Sequence, residues 1–89
     1  MKWVKKAKYI DSFKVWIKFN DDLEGIVDLE STITRDHRDI FRLLQDQRHF
    51  KKFKVDADTL VWENGLDLAP EYLYELAAQN RCTAIVPGN

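Results

Sequence analysis

His37, His49 and Cys82 carry the most reactive side chains at neutral pH in this chain of 89 residues, and their spacing decides what chemistry they could share. The histidines stand twelve positions apart, with no His-Glu-x-x-His run to set two imidazoles on one helix face around a metal. Cys82 has no histidine near it in sequence to draw off its proton, and Ser12 and Ser31 lie outside the strand-to-helix turn of a nucleophilic serine. Asp56-Ala57-Asp58 opens like a calcium loop, but Leu60 stands where the next oxygen ligand belongs and no glycine follows it. Gly25, Gly65 and Gly88 are too scattered to cradle a phosphate. The expectation is therefore a protein with no catalytic site, no metal and no cofactor. A triad assembled only by the fold is the arrangement that spacing does not reveal.

The remaining chemistry is that of binding, and it lies in charge and aromatic side chains. The net charge of -1 is distributed in blocks. Residues 1–18 hold six lysines against Asp11, and residues 21–30 hold Asp21, Asp22, Glu24, Asp28 and Glu30 with no cation. Residues 35–54 are again basic, seven cations to three carboxylates, and residues 55–89 carry six carboxylates against Arg81. Lys5, Lys6, Lys8, Lys14 and Lys18 with Trp16 could form a basic, aromatic-bearing face of the kind that stacks single-stranded nucleic acid. A pI near 6.1 and the acidic block that follows favour instead a solvated face balanced by its neighbours. Arg35, His37, Arg38 and Arg42 make a second basic group, with Asp36 and Asp39 beside them as ion-pair partners.

These residues need elements to position them, and 89 residues make one domain, 1–89, with a small core. A composition 45% hydrophobic and 33% charged is that of a folded chain. Phe13 to Phe19 alternates, with Phe13, Val15, Ile17 and Phe19 on one face and Lys14, Trp16 and Lys18 on the other. Leu23 to Leu29 alternates likewise. Parity selects the loop Asn20-Asp21-Asp22, which sets Lys18 opposite Glu24, Trp16 opposite Ile26 and Lys14 opposite Asp28. Trp3 to Ile10 reads as a preceding strand with Trp3, Ala7 and Tyr9 on one side, completing a three-stranded antiparallel meander. Ser31 to Arg38 shows no period and reads as a loop. Short helical turns follow from about Asp39, with Asp46 capping the one that bears Phe50. Phe53–Val55 and Leu60–Trp62 read as a second hairpin joined through residues 56–59. Asn64-Gly65 supplies a tight turn, and Pro70 opens a helix to Asn80 with Leu73, Leu76 and Ala77 on one stripe. The tail, 82–89, either adds an edge strand or hangs loose. The fold class is α+β.

Phe13 to Leu29, Leu44 to Phe50, and above all the Trp-x-Asn-Gly-x-Asp-Leu-x-Pro-Glu-x-Leu-Tyr string from Trp62 to Tyr74 resemble the bacterial domain-of-unknown-function family twenty-four forty-two. The resemblance covers about residues 3–76 and implies a compact α+β fold of meander, small helices, second hairpin and packing helix. It implies further that such proteins stand beside another small protein in toxin–antitoxin-like pairs, or precede a helix-turn-helix. The chain ends about a dozen residues after the last motif, which counts against a direct repressor role.

Together these readings lead to a non-catalytic protein-interaction or regulatory module, the antitoxin-like partner of another small protein. A nucleic-acid-associated adaptor using the lysine and tryptophan face is the alternative. The candidate protein-binding residues are Trp16, Lys14, Lys18, Ile26, Trp62 and Tyr74. Trp16 is either outward as its parity requires or buried under a loop or the tail, and core packing is the rival role for Trp62 and Tyr74. An open sheet edge could also pair two copies into a homodimer. A single cysteine and no apolar run near ~18 residues point to a cytoplasmic protein with no membrane span.

Overall fold

The computed structural model describes residues 1–80; the tail at 82–89, and Cys82 with it, lies outside the described residues. Strands β1 (Val4–Asp11), β2 (Lys14–Phe19) and β3 (Glu24–Asp28) form an antiparallel sheet in that order. β2 and β3 pair in the register that parity selects, with Lys18 opposite Glu24, Trp16 opposite Ile26 and Lys14 opposite Asp28. At the turn the Phe19 amide donates to the Leu23 carbonyl at 2.9 Å, and Asp22 takes a left-handed φ of 69° to close it. Val15, Ile17, Phe19, Val27 and Leu29 point inward and are almost wholly buried.

β1 departs from the single parity expected of it. Lys5 and Ile10 are extra residues against β2, and each such bulge moves the following side chain to the other face. Val4 and Ala7, three positions apart, therefore both turn inward, while Trp3 falls before the strand and is 40% exposed.

The stretch expected to be a loop, Ser31 to Arg38, contains helix α1 (Glu30–Arg35). Its first amide, Glu30, is held by the Asp28 carboxylate at 3.0 Å, and its anchor, Ile33, is completely buried. A helix of six residues with one buried side chain leaves no period to read. α2 (Asp39–Arg42) continues through a 3-10 turn, Leu43–Gln45, to α3 (Gln47–Phe50), and together they bury Phe41, Leu44 and Phe50. Asp46 caps α3 by accepting the Arg48 amide at 2.9 Å, as its position suggests.

The second hairpin, β4 (Lys54–Asp56) and β5 (Thr59–Val61), turns through Ala57 and Asp58 alone. Both adopt left-handed φ, 49° and 69°, the geometry that matches strand twist in a two-residue loop. The pairing thus extends closer to the turn than the sequence suggests. The hairpin joins the first sheet where the Val4 amide donates to the Asp58 carbonyl at 2.9 Å. After β5 the chain reverses around Asn64-Gly65, with Gly65 at φ 92° and the Trp62 amide bonded to the Leu66 carbonyl. The Asn64 side-chain amide also donates to the Ile40 carbonyl at 2.7 Å, which fastens this turn to α2.

Helix α4 (Pro70–Gln79) starts on proline and buries Leu73 and Ala77 against β3. It crosses the strand at Gly25, where a Cβ would lie 2.5 Å from the Ala77 carbonyl oxygen. Glycine is what lets the two backbones meet at that point. Tyr74 stacks edge-on against Phe19, and Phe50 meets Tyr9 and Phe13, so α4 and α3 both cover the inner face of the sheet.

Candidate functional site

On the outer face of the sheet the side chains lie in rows across the strands. Lys6, Lys18 and Glu24 form one row, and Lys8, Trp16 and Ile26 the next. Lys14 lies between Asp11 and Asp28 in the third. The strand parity that buries Val15, Ile17 and Phe19 is what sends Lys14, Trp16 and Lys18 outward. Trp16 and Ile26 are half-buried by their neighbours, whereas Lys6, Lys8 and Lys14 are exposed. The Trp16 indole N–H donates to Glu24 Oε1 at 3.3 Å, a diagonal contact that leans the ring toward the Lys18 row.

The ion pairs on this face are uneven. Lys18 Nζ lies 3.9 Å from both Glu24 and Asp22, and Lys5 lies 3.5 Å from Asp22. Such exposed pairs are worth about 0–1 kcal/mol each. Lys14 and Asp28 stand opposite one another, but their charged atoms do not come within 4.0 Å. At the edge of the sheet formed by β3, Asn80 imitates a strand residue. Its carbonyl accepts the Ile26 amide at 3.3 Å, and its side-chain amide donates to the Ile26 carbonyl at 3.0 Å.

The structure therefore brings together four of the six candidate residues, Lys14, Trp16, Lys18 and Ile26, and separates the other two from them. Trp62 is 2% exposed, donates its indole N–H to the Phe50 carbonyl at 2.7 Å and packs against Phe50 and Phe53. It is a core residue, because a buried indole with its one donor satisfied is a stable filling for so small an interior. Tyr74 lies on the inner side, where its hydroxyl donates to Asp21 Oδ2 at 2.6 Å. Lys2 reaches the same oxygen at 3.1 Å while its ammonium sits 4.9 Å from the Tyr74 ring centre. The Tyr74 hydroxyl, then the Leu23 amide and Lys2, hold the Asp21 carboxyl down to about 2. The bond to Asp21 raises the Tyr74 phenol in turn. This cluster braces the β2–β3 turn against α4.

Two arginines of the second basic group turn to local partners, Arg42 to Asp39 at 3.9 Å and Arg38 to Asp36. Arg38 forks onto Asp36, with Nε at 3.0 Å and Nη2 at 2.8 Å, and lies over the Phe41 ring. Arg48 repeats the arrangement on Asp46, whose carboxyl falls to about 2 mainly through that fork. The signal in the sequence is Asp-x-Arg at 36–38 and again at 46–48, where one carboxylate takes both the amide and the guanidinium of the residue two further on. A shallow depression between α2 and the segment before α4, lined by Ile40, Phe41, Leu66, Leu68 and Tyr72, has no counterpart in the sequence reading. Of its polar groups, Arg38 is engaged by Asp36 and the Tyr72 hydroxyl by Thr32, while Asp67 is exposed at its rim. Among the described residues no three of His, Cys, Asp and Glu stand close enough to hold a metal ion, and no helix is long and apolar enough to cross a membrane.

These features define a small α+β domain whose three-stranded sheet has one face in the core and, among the described residues, no element packed on the other. The family model for Protein of unknown function (DUF2442) matches residues 4–79, and the chain belongs to that family. The match takes in the sheet and every helix through the end of α4. No curated protein and no solved structure matches this chain.

Proposed function

We propose that this protein is a non-catalytic binding module, the antitoxin-like or regulatory partner of another small protein, and that it binds through the outer face of the β1–β2–β3 sheet. The reading rests on Trp16, an indole held on the solvent side of the sheet by its bond to Glu24. The ring is already fixed by that bond and by Lys8 and Ile26 on either side, so a partner that covers it orders little that is mobile. Tryptophans placed this way are enriched among the residues that dominate protein interfaces. The lysines would also suit a phosphate backbone, but Glu24 and Asp28 share the face, and one of them grips the indole. That arrangement favours a protein over single-stranded nucleic acid.

The test compares native chain, Trp16→Ala and Ile26→Asp as tagged baits in nuclease-treated lysate of the native host. Both substitutions are at half-buried positions and should cost less than about 2 kcal/mol of stability, which thermal unfolding will check. The expected result is one stoichiometric small protein captured by the native chain and lost from both folded variants. Capture that survives both substitutions would place the interface elsewhere, and unfolding of Trp16→Ala would make Trp16 a scaffold residue.

A further inference from the structure

The three-stranded sheet contains a cross-strand pair that does nothing for the free domain. Lys6 stands directly opposite Lys18 on the outer face, and like charges in that position are destabilising. Lys18 is balanced on its other side by Glu24 and Asp22, but Lys6 lies within 4.0 Å of no described carboxylate, and neither do Lys8 and Lys14. Elsewhere Lys2, Lys5, Arg38, Arg42 and Arg48 each have a carboxylate partner. Arg35 and Lys51 also lie within 4.0 Å of no described carboxylate, and Lys52 and Lys54, likewise without partners, line a hollow with Asp56 and Glu63 whose tryptophan, Trp62, is buried. Among the described residues, only on the sheet do cations without partners surround a solvent-side indole.

From this we infer that the partner segment seated on Trp16 is acidic with an apolar centre, its carboxylates over Lys6 and Lys8 and its apolar side chain over Trp16 and Ile26. The inference rests on the binding reading above and names the chemistry of its partner. Positive charge lies along β1 and β2, and negative charge along β3 with Glu24 and Asp28. An acidic segment is therefore drawn to the β1 side and repelled from the β3 edge, which sets its position as well as its sign. An extended segment fits best, because its side chains alternate, one set meeting the sheet and the other facing away.

The experiment is a titration of the isotope-labelled full chain, followed by NMR, with a capped nonapeptide whose odd positions alternate glutamate and leucine and whose even positions are serine, so that one face of the extended peptide carries both. A lysine–leucine peptide of equal length and a nine-nucleotide thymidine strand serve as the other arms. The expected result is saturable shifts at Lys6, Lys8, Lys18, Ile26 and the Trp16 indole N–H with the acidic peptide alone. Affinity should fall about ten-fold or more in Lys6→Glu/Lys8→Glu, and should fall as salt rises. No saturable shift, shifts centred elsewhere, or equal binding of the lysine peptide would overturn the inference. Binding of the thymidine strand in place of the peptide would overturn it too and move the face to nucleic acid. If host-protein capture depends on Trp16 but survives Lys6→Glu/Lys8→Glu, the binding module stands and the acidic partner falls. If capture is indifferent to Trp16 as well, both fall.

Discussion

Replacing Gly25 with alanine tests the seating of α4 at one atom. The added Cβ would lie 2.5 Å from the Ala77 carbonyl oxygen and 3.0 Å from its carbonyl carbon and Cα, all of them backbone. That is about 1 Å inside ordinary contact, and no rotamer relieves it. The helix must lift from β3, which loosens Leu73 and Ala77, both fully buried. Overpacking a well-filled core costs about 1–3 kcal/mol, and the space opened under the helix adds to it, so the expected loss is about 2–4 kcal/mol. For a domain of this size, stable by roughly 5–13 kcal/mol, the thermal midpoint should fall by roughly 10–25 °C. Urea and thermal unfolding followed by circular dichroism measure both quantities. The double variant Gly25→Ala/Ala77→Gly isolates the cause. Since the clash is with backbone, removing the Ala77 methyl leaves it in place and adds the cost of a helical glycine, about 1 kcal/mol. Rescue by Ala77→Gly, or a loss under about 0.5 kcal/mol in the single variant, would refute the backbone-contact reasoning.

Lys6→Glu should do opposite things to stability and to binding: an opposite-charge pair with Lys18 replaces the like-charge pair and stabilises the free domain by about 0.2–1 kcal/mol, while affinity for an acidic partner falls. A drop in urea midpoint would show that Lys6 does not face Lys18. The Asp21 carboxyl, held at about 2 in the folded chain against 3.8 for the free group, contributes stability that is present above pH ~4 and lost as the pH falls through about 2. In Tyr74→Phe the largest cause of that depression is gone, so Asp21 should titrate higher and the acid limb of the stability curve should flatten. Carboxyl-carbon NMR reads this directly, and an unchanged Asp21 titration would contradict the bond. Trp62→Phe leaves the Phe50 carbonyl without its donor inside the core and should cost about 2–4 kcal/mol, seen as a lower urea midpoint at unchanged slope. A loss under about 0.5 kcal/mol would mean that the bond and the larger ring contribute little.

The β2–β3 hairpin was fully legible because a period of two leaves one register that keeps Phe19 and Leu23 on the same side. Its pairs followed from that, and so did the outward course of Trp16. β1 was only partly legible, since a bulge is a local choice of backbone made to fit neighbouring strands, and alternating lysines do not announce it. α1 was invisible for a related reason: with Ile33 its only buried residue, tertiary contact makes the helix and periodicity cannot. For the candidate residues the limit was topological. Parity says which face of its own strand a side chain takes, but Tyr74 and Trp62 belong to elements whose docking depends on Gly25, Asn64 and Phe50, each many positions away.

The same topology supports the proposed use of the outer face. A sheet of three strands has two faces, and a chain this short can fill one core. α3 and α4 reach the inner face through Phe50, Tyr74 and the contact at Gly25, and the second hairpin attaches along the β1 side at Val4. With those elements committed, the outer face keeps, among the described residues, what the strands alone provide, and stability alone would ask for charged pairs there without an indole. The β3 half follows that rule, with Glu24 meeting Lys18. The β1 half breaks it twice, by setting Lys6 against Lys18 and by placing Trp16 beside Lys8. Departures from local consistency concentrate where a surface serves a partner, and here both fall within one pair of adjacent rows.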